Sequence, residues 1–128
     1  MQKEVISTSL SPEAIGPYSQ AIRAGNFVFV SGQIPLDPLT GKLIEDMSVS
    51  AQTRQSLQNL QGVLHSAGTV LSNVVKVTIY LSDMDDFKEV NGIYGECFEN
   101  SPPARATVQV AALPLDVAIE IECIAIIE

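Results

Sequence analysis

The chain has 128 residues, of which 46% are apolar and 17% charged, the make-up of one globular domain large enough for its own core. Fifteen acids against seven bases leave a formal net charge of −8. The bases stand singly, so nucleic acid is disfavoured as a partner.

The opening, MQKEVISTSL, has no long apolar run, and no later stretch approaches the length of a membrane span, so neither a secretory signal nor a membrane partner is expected. KEVIS reads as a short first strand. QAIRAGNFVFVSG alternates apolar residues on either side of Gly25-Asn26, a two-residue hairpin signal. QIPLDPLTGKL, with Pro35, Pro38 and Gly41, reads as an ordered loop.

From Ser48 to Ala67 the residues Val49, Thr53, Leu57, Leu60, Leu64 and Ala67 recur at three- and four-residue steps. They form one helix face, with Gly68 as a left-handed cap. His65, the single histidine, falls on the polar side, so a histidine-rich metal centre is not expected. NVVKVTIYLSD is a β-branched strand. Ser82 or Asp83 caps a second helix with the stripe Phe87, Val90, Tyr94, Cys97 and Phe98. The acids of DMDD suit capping and the helix dipole better than a metal loop.

ARATVQV and VAIEIECIAII are the last two strands, joined through AALPLD and expected to pair as a hairpin. The order β-β-β-α-β-α-β-β implies an α+β domain spanning residues 1–128, with two helices on one face of a mixed sheet. The last strand is apolar on one face at Ile119, Ile121, Cys123, Ala125 and Ile127. Its other face begins Glu120, Glu122 and turns apolar at Ile124 and Ile126, so the second sheet face is expected to be covered by self-association. Cys97 and Cys123 lack CxxC spacing and read as reduced core thiols of a cytoplasmic protein.

Beyond Lys88, Arg105 is the only Lys or Arg, and it opens what reads as a buried strand. A desolvated guanidinium requires something anionic. Arg105, Thr107 and Gln109 share one strand face, and the hairpin partner brings Glu120 and Glu122. Two explanations fit. One is a cross-strand or intersubunit ion pair that settles register. The other is an anion site, in which Arg105 holds a substrate carboxylate and a Glu of raised pKa acts as acid or base. Tyr18 follows a Gly-Pro turn, where a packed ring with its hydroxyl on backbone is the plainer alternative to a cleft residue. Ser31-Gly32 ends a strand where glycine permits close approach by another molecule. Asn91, four residues from Phe87, either bonds a nearby loop or borders a pocket.

The stretches AIGPYSQAI, SGQIP, DFKEVNGIYGECF and PPARATVQVAALPLDVAIEIECIAI together resemble the RidA/YjgF family of reactive-intermediate deaminases, in the same order over nearly the whole chain. The resemblance implies a chorismate-mutase-like two-layer protomer, a homotrimer whose sheets form a central barrel, and three sites in the clefts between subunits. It implies hydrolysis of 2-enamine and 2-imine acids, of the 2-aminoacrylate and 2-aminocrotonate type released by PLP-dependent dehydratases, to 2-keto acids and ammonia, with no cofactor or metal. Carried over, Arg105 would hold the substrate carboxylate and Glu120 would position or activate water. Tyr18, Ser31 and Gly32 would line the cleft, with Phe87 and Asn91 at its rim. Many relatives carry Cys where Thr107 stands, so a thiol role there is not implied; Thr107 would offer a hydroxyl and backbone groups. Other roles assigned to relatives are a non-catalytic ligand-binding regulatory trimer and, less compatible with an acidic chain, a ribonuclease or translation inhibitor.

Overall fold

A computed structural model describes residues 2–128. Gly25-Asn26 forms the turn its spacing predicts, with Gly25 at φ 61°, where glycine meets no Cβ penalty. It joins β2 (Ala21–Ala24) to β3 (Phe27–Gln33), with Ala24 opposite Phe27. β1 (Lys3–Ile6) adds antiparallel to the far side of β2.

The first helix, α1 (Val49–Ser66), starts where the Ser48 hydroxyl accepts the Ala51 N–H at 3.2 Å. It ends in a Schellman arrangement: the Thr69 N–H bonds the Leu64 carbonyl, the Gly68 N–H bonds the His65 carbonyl, and Gly68 sits at φ 85°. Thr53, Leu57, Leu60 and Leu64 are buried against β3 and the last strand, whereas His65 faces outward, as the periodicity requires. Truncating Leu60 or Leu64 to Ala at such a site costs about 2–5 kcal/mol.

β4 (Val74–Leu81) leads to Asp83, whose carboxylate caps a 3-10 turn at Met84–Asp86. That turn runs directly into α2 (Phe87–Cys97). β5 (Ala104–Gln109) and β6 (Ile119–Ile126) complete the domain. The sheet is mixed, ordered β1-β2-β3-β6-β4-β5, with only the β4–β5 pair parallel. Both helices cover one face, as expected.

Two expectations about the last strands are corrected. β5 and β6 do not pair as a hairpin: β6 inserts antiparallel between β3 and β4, and β5 lies beyond β4 at the edge. Nor is β5 a buried strand; Ala104, Arg105, Val108 and Gln109 are exposed. The reason lies in side-chain chemistry. β6 is apolar on its helix side, with Ile119, Ile121 and Ala125 fully buried, and can fill the sheet's centre. A strand presenting Arg105, Thr107 and Gln109 to that side cannot, because a central position would bury an unpaired cation.

The face opposite the helices is open in the protomer. Phe27 and Phe29 are 48% and 44% exposed, and Val5 and Val108 lie on the same side with Ile124 and Ile126 half-covered. Their rings stand 6.4 Å apart, centroid to centroid.

Candidate active site

In β5 the register places Arg105 beside Val77 of β4 and, one strand further, Cys123 of β6, both core-facing. Arg105 therefore projects on the helix side, where α2 meets it. Its Nη1 donates to Asn91 Oδ1 at 2.7 Å. The guanidinium carbon lies 4.8 Å from the Tyr94 ring centroid and 5.6 Å from that of Phe87. Positions 87, 91 and 94 are one face of α2, so one helix supplies an amide and two rings to one cation. Gln109, further along the same strand face, accepts the Met84 N–H at 2.7 Å and ties the strand to the start of that helix. Thr107 lies between; its Oγ1 is buried without a hydrogen-bond partner.

Arg105 itself is exposed and pairs with no carboxylate of its own chain; among the described residues the one ion pair is Arg54–Glu96. The cross-strand ion pair to Glu120 or Glu122 is therefore corrected. β4 stands between them, Glu120 aligns with Tyr80 rather than Val77, and both acids point to the opposite sheet face. Three residue rows separate Arg105 from the β5 residue in line with Glu120, an offset of roughly 10 Å along the strands as well as two strands across.

Glu120 opens instead into a cleft of about 650 Å³ on the open face. Its walls include Tyr18, Ser31, Gly32, Leu115 and Glu122. A β-bulge shapes it: Val30 pairs with Cys123 and Gln33 with Ile121, so Ser31 and Gly32 together oppose Glu122. A Cβ on Gly32 would overlap the Glu120 carboxylate, so glycine there is the condition for the acid's position. The Ser31 hydroxyl donates to the Ser19 carbonyl at 2.6 Å and the Ser31 N–H to the Gln20 carbonyl at 3.0 Å, which fastens the preceding loop. Gln20, buried, holds that loop from within through the carbonyls of Thr8 and Pro12. Tyr18 combines both of its alternatives: the hydroxyl accepts the Ile15 N–H at 3.3 Å, while the ring stays 52% exposed on the cleft wall.

Burial, and secondly the charge of Glu122, push the Glu120 carboxyl above its usual 4.5. Tyr80 donates its hydroxyl to Glu122, and that bond is the main cause of the raised Tyr80 pKa. The cleft lining thus holds three carboxylates, Glu120 with its raised pKa, the hydrogen-bonded Glu122, and Glu13, and no cation. Among the described residues no three His, Cys, Asp or Glu side chains gather as metal ligands, and no helix is long and apolar enough to cross a membrane.

The anticipated residues are all present, but as two groups. Tyr18, Ser31, Gly32 and Glu120 line the cleft; Phe87, Asn91, Arg105 and Thr107 lie at the β5–α2 edge on the other face. Residues that sequence reasoning left out are Tyr94, taken as plain core, and Leu115 and Tyr80 around the cleft. Only Tyr94 had a usable signal, its i, i+4, i+7 spacing with Phe87 and Asn91.

Comparison with known proteins identifies the family of the chain. Residues 8–127 match the family described as Endoribonuclease L-PSP. The chain is similar to Reactive Intermediate Deaminase A of Arabidopsis thaliana, with 54% identity over 98% of this chain and 66% of that protein. It is 48% identical to the 2-iminobutanoate/2-iminopropanoate deaminase of Mus musculus, over 97% of this chain and 91% of the relative. The crystal structure of E. coli TdcF with bound serine superposes with a TM-score of 0.91 at 41% identity, covering 98% of this chain and 99% of that one.

Proposed function

The chain belongs to the Endoribonuclease L-PSP family, also called RidA/YjgF, and from that premise we propose that it hydrolyses 2-imino acids and their enamine tautomers to 2-keto acids and ammonia. The observation that carries this reading is a held cation without a counter-ion among the described residues of its own chain. Arg105 is fixed by Asn91 and two rings, yet faces solvent with no carboxylate of its own chain. Such a planar fork suits a substrate carboxylate, which it meets bidentately.

Arg105 and Glu120 belong to one site only if two copies meet. The open sheet face, with Phe27 and Phe29 exposed, is the surface for that meeting, and a homotrimer closing these faces into a barrel brings the Arg105 edge of one copy to the Glu120 cleft of its neighbour. The complementary charges, a cation on one side and the acids Glu13, Glu120 and Glu122 on the other, support the same pairing.

In the reaction, Arg105 anchors the carboxylate and thereby orients C2. Glu120, made more basic by burial, accepts a proton from water as the water oxygen bonds to C2. That proton passes to the imine nitrogen and gives a carbinolamine; the carbinolamine hydroxyl then gives its proton, through Glu120, to the amine, and the C–N bond breaks as C2 becomes a ketone and ammonia leaves. Imine plus water thus balances keto acid plus ammonia. An enamine enters after taking a proton at C3. Orientation and exclusion of bulk water account for the acceleration, and no cofactor or metal takes part. The Ser31–Gly32 bulge bounds the space beside the reacting carbon. The source of such acids is a PLP-dependent dehydratase acting on serine or threonine, in the cytoplasm.

The test couples the purified protein to a serine or threonine dehydratase and follows pyruvate or 2-ketobutyrate. Wild type is expected to speed product release, and Arg105→Ala and Glu120→Gln are expected to abolish the gain. Keto-acid binding by calorimetry without any acceleration would instead support a regulatory ligand-binding trimer and would end the catalytic reading.

A further inference from the structure

Arg105 is the exposed end of a stack. Behind it lies Tyr94, 5% exposed, its ring 4.8 Å from the guanidinium carbon. Behind Tyr94 lies Phe98, the two centroids 4.5 Å apart and the rings tilted by 33°. The bond to Asn91 fixes one nitrogen of the fork and leaves its plane free to pivot about that contact. A buried ring against the flat side removes the pivot, because the cation is held to the π face while Phe98 and the core hold the ring. Phe87, half-buried and 5.6 Å away, is the weaker of the two aromatic contacts on distance.

We propose that Tyr94 is a positioning residue that sets the plane of the Arg105 fork, so that both fork nitrogens are aligned before a carboxylate arrives. This rests on the carboxylate-clamp reading of Arg105 and adds to it the residue that orients the clamp. The Tyr94 hydroxyl is not the working part. It is buried with no hydrogen-bond partner, and burial raises its pKa to about 12, so the phenol stays neutral and takes no role as a base. What Tyr94 supplies is the ring face. Val90 and Ile93, the other buried residues of α2, are aliphatic and present no ring face to a cation.

The test measures the order of the Arg105 Nε–Hε group by NMR relaxation in the full-length protein, together with the affinity for 2-ketobutyrate as probe. In wild type, Arg105 is expected to be more ordered than Arg54, whose partner Glu96 is itself exposed. Tyr94→Leu is expected to lower that order and to weaken 2-ketobutyrate binding about fivefold, the loss of one cation–π contact at a partly exposed site. Tyr94→Phe, which keeps the ring, is expected to rescue both. If Tyr94→Leu fails to fold, Tyr94→Met replaces it, and the wild-type comparison with Arg54 stands by itself. The proposal is overturned if wild-type Arg105 is no more ordered than Arg54. It is equally overturned if the Leu or Met variant leaves Arg105 order unchanged, or lowers it without weakening the probe. Normal Arg105 ordering in a protein that accelerates no deamination would end the deaminase reading and leave the positioning role intact.

Discussion

The Arg105 edge and the Glu120 cleft lie on opposite faces of one sheet and are built by opposite means. The edge is local and preorganised: about two turns of α2 supply Asn91, Phe87 and Tyr94 to a cation on a nearby strand, which remains open to solvent. The cleft is assembled over long range, from a bulge in β3, a loop fastened by Ser31 and Gln20, and the middle of β6. There, burial raises the pKa of the Glu120 carboxyl and makes its carboxylate a better base. One half holds charge in place, the other alters its chemistry. The apolar sheet face beside the cleft is uncovered in the protomer.

The two halves are expected to fail in different ways. Glu120→Gln removes the proton acceptor and is expected to lower kcat by about 10²–10⁴-fold, with the keto-acid affinity largely kept. Steady-state kinetics with a dehydratase-generated imine checks this. Arg105→Ala removes a charge-assisted fork, and kcat/KM is expected to fall about a hundredfold or more, with the larger part in binding. If the two variants had the same kinetic signature, the division of labour would be wrong.

Gly32→Ala acts on the cleft alone. Its Cβ displaces the Glu120 carboxylate, and kcat is expected to fall about tenfold or more while Arg105 order stays as in wild type. Gly62→Ala affects the cleft's support. A Cβ there would stand 2.6 Å from the Leu10 carbonyl oxygen and 2.5 Å from Ser11 Oγ, where the N-terminal loop lies on α1. The expected cost is about 1–3 kcal/mol by denaturant unfolding, beyond the gain in helix propensity.

The smallest effect is pH dependence. The folded state holds the Glu120 proton more tightly than the unfolded chain does, so Glu120 favours folding at low pH. That contribution is fully present below the usual carboxylate value near 4.5, and is lost as pH rises through the raised folded-state value. Glu120→Gln is expected to remove this decline in stability, while wild-type activity rises through the same window as the base ionises.

Much of the edge was legible in the sequence, because helix periodicity placed Phe87 and Asn91 together and strand alternation placed Arg105 with Thr107 and Gln109. The Gly25-Asn26 turn and the buried face of α1 were legible for the same reason: both depend on neighbours a few residues apart. Strand order was not. Nothing local tells β6 to enter between β3 and β4 rather than fold back on β5; that choice depends on which strand leaves no cation in the sheet's centre. The error carried over to the site, since pairing β5 with β6 put Arg105 beside Glu120 within one chain. The bulge at Ser31–Gly32 was likewise visible only as a glycine, without its reason, the carboxylate of Glu120.

A shared site is tested most directly by complementation between the two inactive variants. Co-expression of Arg105→Ala and Glu120→Gln chains in equal amounts yields mixed oligomers, some of whose interfaces combine an intact Arg105 edge with an intact Glu120 cleft. Random assembly of a cyclic oligomer predicts recovery of about a quarter of wild-type activity per site, although each variant alone is inactive. Mixed oligomers with no more activity than the separate variants would contradict a site built from two copies.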